Sequence, residues 1–175
     1  MNHEDMFENP ALRRIPMAPA IAALRIAMSH PPTHYVVSHA VMKLLEKWLL
    51  TGKKEPLLLH MNTLQDEVER ARKSFLVWEK EPDPPPVKKK GVTIKPKKPK
   101  GPLYTYMATR ALLCATTVAI NGNPEEMVDM LECLDDVPSS YGDSDGEDAE
   151  SLTSVLESLD MIFHRSHWAK IAKAS

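Results

Sequence analysis

The 175-residue sequence predicts an all-α fold of about six helices, and three observations predict it. Residues 103–120 are nearly all apolar and carry a single charge, Arg110; a helix apolar on every side belongs in the middle of a fold. Residues 56–79 place Leu57, Met61, Leu64, Val68, Ala71, Phe75 and Trp78 at alternating spacings of four and three, a heptad seam. No convincing two-residue alternation occurs, so no sheet of any size is expected. The expected arrangement is an antiparallel helical hairpin (33–79) packed on a central apolar helix (103–120) and C-terminal helices. A Pro/Lys-rich linker (80–102) divides a front half (9–79) from a back half (103–173) of one domain spanning 1–175.

Along the chain, residues 1–8 read as a loose start, and Asn9-Pro10 caps a short turn through Ile15. Pro16 and Pro19 interrupt, so the first true helix is expected from about Pro19 to Met28, where His30-Pro31-Pro32 ends it. A stronger helix runs from Thr33 to Thr51, with Val37, Val41, Leu44 and Trp48 on a stripe widened by Ala40, Leu45 and Leu49. Gly52 closes it and Pro56 opens the seam helix, only a short turn away, which makes the two antiparallel neighbours. Glu67, Glu69, Arg70, Arg72 and Lys73 are assigned to its solvated outer face.

Seven prolines in residues 80–102 then forbid a helix or a central strand and leave an extended, lysine-decorated connection, with Val92-Thr93-Ile94 as a brief edge strand. Pro102 suits the first turn of the central helix and Gly122 its left-handed terminator. Its threonine and tyrosine hydroxyls find nearby carbonyls when buried. The stretch approaches the length of a bilayer span, but the central Arg110 and the threonines at 105, 109, 116 and 117 favour a core helix. Asn123 caps the next helix, with Pro124 at its first position and Glu125 and Glu126 at the positive end of its dipole. Met127, Met130, Leu131 and Leu134 form its core side; Asp129, Glu132, Asp135 and Asp136 lie mostly elsewhere. Pro138 stops it, residues 137–150 have the composition of a mobile acidic loop, and a last helix is expected over about Ser151–Ala172.

A net charge of −2 hides two poles. Between Glu125 and Glu150 stand eleven acidic residues and no Lys or Arg, whereas residues 80–102 hold eight lysines against Glu81 and Asp83. Cys114 and Cys133 fall inside helical patterns, away from metal-ligand spacings, which favours a reducing compartment. The acidic N-terminus has no signal-peptide pattern, so a cytoplasmic location is expected.

There is no metalloprotease, nucleophile-elbow or dinucleotide motif; Thr51-Gly52-Lys53-Lys54 lacks the flanks of a phosphate loop. A calcium loop around Gly146 fails at both ends, where Tyr141 and Leu152 occupy ligand positions. His164 and His167 make two ligands and no closed metal site. No catalytic residue, metal or cofactor is therefore assigned, and the protein is expected not to be an enzyme.

Two charged surfaces remain as candidates. The acidic pole, with Asp129, Glu132, Asp135, Asp136, Asp143, Asp145, Glu147 and Asp148, would attract and steer a basic protein. The lysines Lys88, Lys89, Lys90, Lys95, Lys97, Lys98 and Lys100 would neutralise phosphates, making nucleic acid the second choice, although no arginine or interleaved aromatic supports base readout. No membrane partner is expected. In general character alone, without a motif, a small helical chain with an acidic face resembles stoichiometric binders such as immunity or antitoxin-like proteins, or adaptor subunits.

Overall fold

The computed structural model describes residues 7–139 and 150–158. Among these residues the chain forms α1 (Arg14–Ala27), α2 (Val36–Thr51), α3 (Glu55–Lys80), α4 (Gly101–Asn121), α5 (Pro124–Asp135) and α6 (Leu152–Ser158). A small hairpin, β1 (Val87–Lys89) and β2 (Val92–Ile94), interrupts the helices.

The apolar stretch occupies the centre, as its composition dictates. Helix α4 packs chiefly against α5 and α3, with α1 and α2 also touching it. By length and composition alone α4 is also a candidate membrane span; 56% of its most apolar window is buried inside the fold. Its hydroxyls are satisfied locally: Thr109 Oγ1 donates to Thr105 O at 2.8 Å, Thr116 Oγ1 to Leu112 O at 2.8 Å and Thr117 Oγ1 to Leu113 O at 2.9 Å. Such back-bonding lets a threonine enter a core without an orphaned polar group.

The α2–α3 hairpin turns through Gly52, which adopts φ +69° and donates its N–H to Trp48 O at 2.7 Å. Antiparallel packing follows from one contact: Glu67, about three turns into α3, reaches the first turn of α2. There Glu67 Oε1 accepts from Val37 N at 3.1 Å, and Oε2 accepts from Ser38 N and Ser38 Oγ, each at 2.6 Å. Of the seam residues, Leu57, Leu64, Val68 and Ala71 are buried, while Met61, Phe75 and Trp78 are half-buried at its edges.

Several expectations are corrected. Helix α1 starts at Arg14, before Pro16 and Pro19. Pro16 falls in the first turn, where its missing N–H has no intrahelical partner, and Pro19 removes only the bond to Ile15. Helix α2 starts at Val36, not Thr33, because its N-terminal cap comes from Glu67 on another helix and not from a local side chain. Glu67 is accordingly buried and not on a solvated face. The linker does hold a sheet, with Val87 opposite Ile94, Lys88 opposite Thr93 and Lys89 opposite Val92. Lys90 and Gly91 have φ +52° and +77°, the two positive values that a tight type I′ turn requires, and the prolines stand just outside the strands. The last helix is described only as Leu152–Ser158, and the rest of the expected span to Ala172 lies outside the described residues.

Side chains distant in sequence close four helix ends. Besides Glu67 at the start of α2, Arg14 Nη1 donates to Leu49 O in the last turn of α2 at 3.3 Å. Arg13 Nη1 donates to Ala119 O near the end of α4 at 3.2 Å, while its Nε and Nη2 bind Phe7 O and Glu8 O at 2.8 and 3.2 Å. Lys98 Nζ donates to Trp78 O at 2.5 Å, Glu81 O at 2.6 Å and Glu79 O at 3.2 Å, closing α3. Three cations therefore sit at the negative ends of three helix dipoles, where carbonyls lack partners.

Candidate functional site

Helix α5 is fixed at both ends. Asn123 Oδ1 accepts from Glu125 N at 3.0 Å, Pro124 occupies the first turn, and Met127, Met130, Leu131, Cys133 and Leu134 are buried against the core. Beyond its C-terminus, Pro138 and Ser151 form an antiparallel bridge, Ser139 N donates to Glu150 O at 2.8 Å, and Leu152 N donates to Val137 O at 3.1 Å. Thr153 Oγ1 adds a buried bond to Leu131 O at 2.9 Å. The two ends of the acidic segment are thus clamped beside the last turn of α5.

Opposite the buried face runs a stripe of carboxylates. Glu125, Asp129, Glu132 and Asp136 follow at spacings of four, three and four, so they line one face. Glu125, Glu132 and Asp136 are exposed and Asp129 is half-buried. The ion pairs found among the described residues, Arg25–Glu46, Arg70–Glu67 and Arg72–Glu69, engage none of them. Asp135, assigned to the same surface from sequence, is half-buried and makes an interaction of its own. Asp143, Asp145, Glu147 and Asp148 lie outside the described residues.

Placement on the helix matters as much as the stripe. Glu125 and Glu126 sit at the positive end of the α5 dipole and stabilise it, but Glu132 and Asp136 stand at its negative end, where no basic residue stands in the last turn. Each such carboxylate costs about 0.3–1 kcal/mol. Elsewhere this chain puts Arg13, Arg14 and Lys98 at helix C-termini, Lys98 offsetting Glu79 and Glu81 at the end of α3; the last turn of α5 holds no basic residue.

Beneath the stripe lie two free thiols, Cys114 on α4 and Cys133 on α5. Burial pushes Cys133 up to about 11, with Arg110 opposing the shift. Burial likewise raises Cys114, and the neighbouring Cys133 adds to it. Both stay neutral near pH 7 and are poor nucleophiles. Because the unfolded chain ionises first, the stability present below the ordinary thiol range is lost as pH rises. A loss of about 2–4 kcal/mol is expected between about pH 9 and 10.5, read from denaturant midpoints, and the Cys114→Ala/Cys133→Ala variant should lose that slope.

Lys88, Lys89 and Lys90 are exposed on the hairpin and its turn; Lys95 and Lys97 are exposed after it, and Lys100 is half-buried at the start of α4. Lys98 drops out as a nucleic-acid contact, because besides its three carbonyl partners it lies 4.4 Å from the Trp78 ring centroid. Trp78 Nε1 in turn donates to Pro99 O at 2.6 Å. The linker therefore docks on the end of α3.

A cavity of about 290 Å³ brings together residues that sequence spacing did not connect: His30, His34, Tyr35, Ser74 and Thr105, beside the start of α4. No carboxylate or cysteine lines it, and among the described residues no group of three metal-ligating side chains occurs. His164 and His167 lie outside the described residues. No protein-family model, curated protein or solved structure matches this chain.

Proposed function

We propose that the protein is a non-catalytic cytoplasmic binding module that captures a basic protein on the α5 carboxylate stripe, continued by the acidic segment clamped at its end. An immunity-like inhibitor or an adaptor subunit is the type of protein this reading describes. The observation that carries it is the set of acids at the wrong end of the α5 dipole. Carboxylates that lower the stability of their own helix, on a surface otherwise held rigid by a packed core, are retained for something other than folding. Such a stripe steers a cationic partner and fixes its register more than it adds affinity.

The test is affinity capture from source cells with the wild-type chain and with Glu125→Lys/Asp129→Lys/Glu132→Lys/Asp136→Lys, each with and without nuclease. A basic protein retained by the wild type, resistant to nuclease and at least about tenfold weaker on the variant is the expected result. Capture equal on both baits would remove the stripe from the function. The alternative, phosphate contact by Lys88, Lys89, Lys90, Lys95, Lys97 and Lys100, predicts nuclease-sensitive capture that persists in the variant.

A further inference from the structure

The β1–β2 hairpin has a composition that the acidic-stripe reading does not use. Its register puts Val87 and Ile94, and Lys89 and Val92, as facing pairs on one side, with Lys88 and Thr93 on the other. Val87, Val92 and Ile94 are 53%, 63% and 47% exposed, and among the described residues no helix makes extensive contact with either strand. A two-stranded ribbon of three-residue strands is marginal in water without a partner for its apolar side. The acids of this segment are Glu81 and Asp83, Asp83 Oδ1 accepting from Lys98 N at 3.2 Å, and Lys88, Lys89, Lys90 and Lys95 take part in none of the ion pairs found among the described residues.

We propose that this hairpin docks on an anionic lipid surface, Val87, Val92 and Ile94 entering the headgroup boundary while Lys88, Lys89, Lys90 and Lys95 engage acidic headgroups. A protruding ribbon offers no groove to a folded partner, and strands this short give few backbone groups to a partner strand. A nucleic acid backbone would use the lysines but leave three aliphatic side chains in water, and the ribbon has no aromatic or arginine to meet bases. A bilayer surface takes both chemistries at once: apolar burial together with attraction to anionic lipid is how interfacial segments bind. The Trp78–Lys98–Pro99 clasp holds the base of the ribbon on the body of the protein, and Pro84, Pro85, Pro86 and Pro96 stiffen both arms. The proposal departs from the expectation that no membrane is a partner, and surface docking leaves α4 in the core.

The experiment is vesicle co-sedimentation of the full chain with phosphatidylcholine, with and without phosphatidylglycerol, in parallel with a duplex DNA oligonucleotide as competitor. Binding is expected only to the anionic vesicles, weakening as salt rises. Lys88→Gln/Lys89→Gln/Lys90→Gln should weaken it by about fivefold per lysine, roughly a hundredfold together. Val87→Ser/Val92→Ser/Ile94→Ser should weaken it by about tenfold or more while keeping the salt slope. Unchanged thermal unfolding of both variants is expected, since the ribbon lies outside the core. Absence of anionic-vesicle binding, equal binding to neutral vesicles, full retention by the serine variant, or displacement by the oligonucleotide at equal charge would each overturn the proposal.

Discussion

Gly122→Ala is expected to destabilise the fold by about 3–5 kcal/mol, among the larger effects of a single methyl group. Two causes add. Gly122 ends α4 with φ +71°, where an alanine is strained by roughly 1–2 kcal/mol. A Cβ there would also stand 2.2 Å from Phe7 O and 2.7 Å from Arg13 Nη2. Phe7 O is a partner of Arg13, so relieving the clash pulls apart the buried clasp that closes α4. Burial of the guanidinium lowers the Arg13 pKa from the ordinary arginine value. Gly52 supplies the control: its φ is +69°, but an added Cβ would meet only the Arg14 side chain at 3.6 Å. Gly52→Ala should therefore cost about 1–2 kcal/mol, the backbone strain alone. Denaturant unfolding of the two variants separates strain from collision; equal losses would mean that Phe7 and Arg13 yield freely.

The second large effect is expected at Glu67. Glu67→Ala removes the carboxylate that receives Val37 N, Ser38 N and Ser38 Oγ, and it leaves Arg70 without its partner at 3.4 Å. Ser38 is fully buried, so its donors have no water to turn to. Losing a charged cap and orphaning buried donors together should cost about 3–4 kcal/mol. Glu69→Ala is the contrast. It breaks a bidentate pair with Arg72 at 2.6 and 2.8 Å, but that pair is exposed and screened by solvent, so its loss is small beside that of Glu67→Ala. Amide exchange at Val37 and Ser38 should accelerate in Glu67→Ala and remain as in the wild type in Glu69→Ala. Comparable stability of the two variants would place the cap elsewhere.

These positions show why some of the structure is readable along the chain and some is not. Gly52, Gly122 and Asn123 act through their own backbone or the next turn, and their sequence neighbours suffice to place them. The core stripe of α5 and the uncharged length of α4 follow from periodicity for the same reason. Glu67, Arg13, Arg14 and Lys98 cap helices to which they do not belong, and no spacing rule reaches across 20 to 106 residues. Glu67 looks like one of five charges on an outer face until α2 is laid beside it. The hairpin carried a local signal, the Lys90-Gly91 turn, but the surrounding prolines argue for an extended connection, and the strands are too short to show alternation. At the candidate site the carboxylates were visible as a group and Pro138 marked the helix end, which the structure puts at Asp135; the clamp that ties Ser139 and Glu150 beside that end joins residues too far apart for spacing to reveal.

Stability and partner capture, measured on one variant, set the helix dipole against binding. Glu132→Lys/Asp136→Lys replaces two acids at the negative end of α5 with cations. Unfolding should show a stability gain of about 0.5–2 kcal/mol, while capture of the basic partner falls by at least about tenfold. Greater stability with lost capture is the predicted result. A variant that captures its partner as the wild type does, whatever its stability, would contradict the claim that these carboxylates are held there for binding.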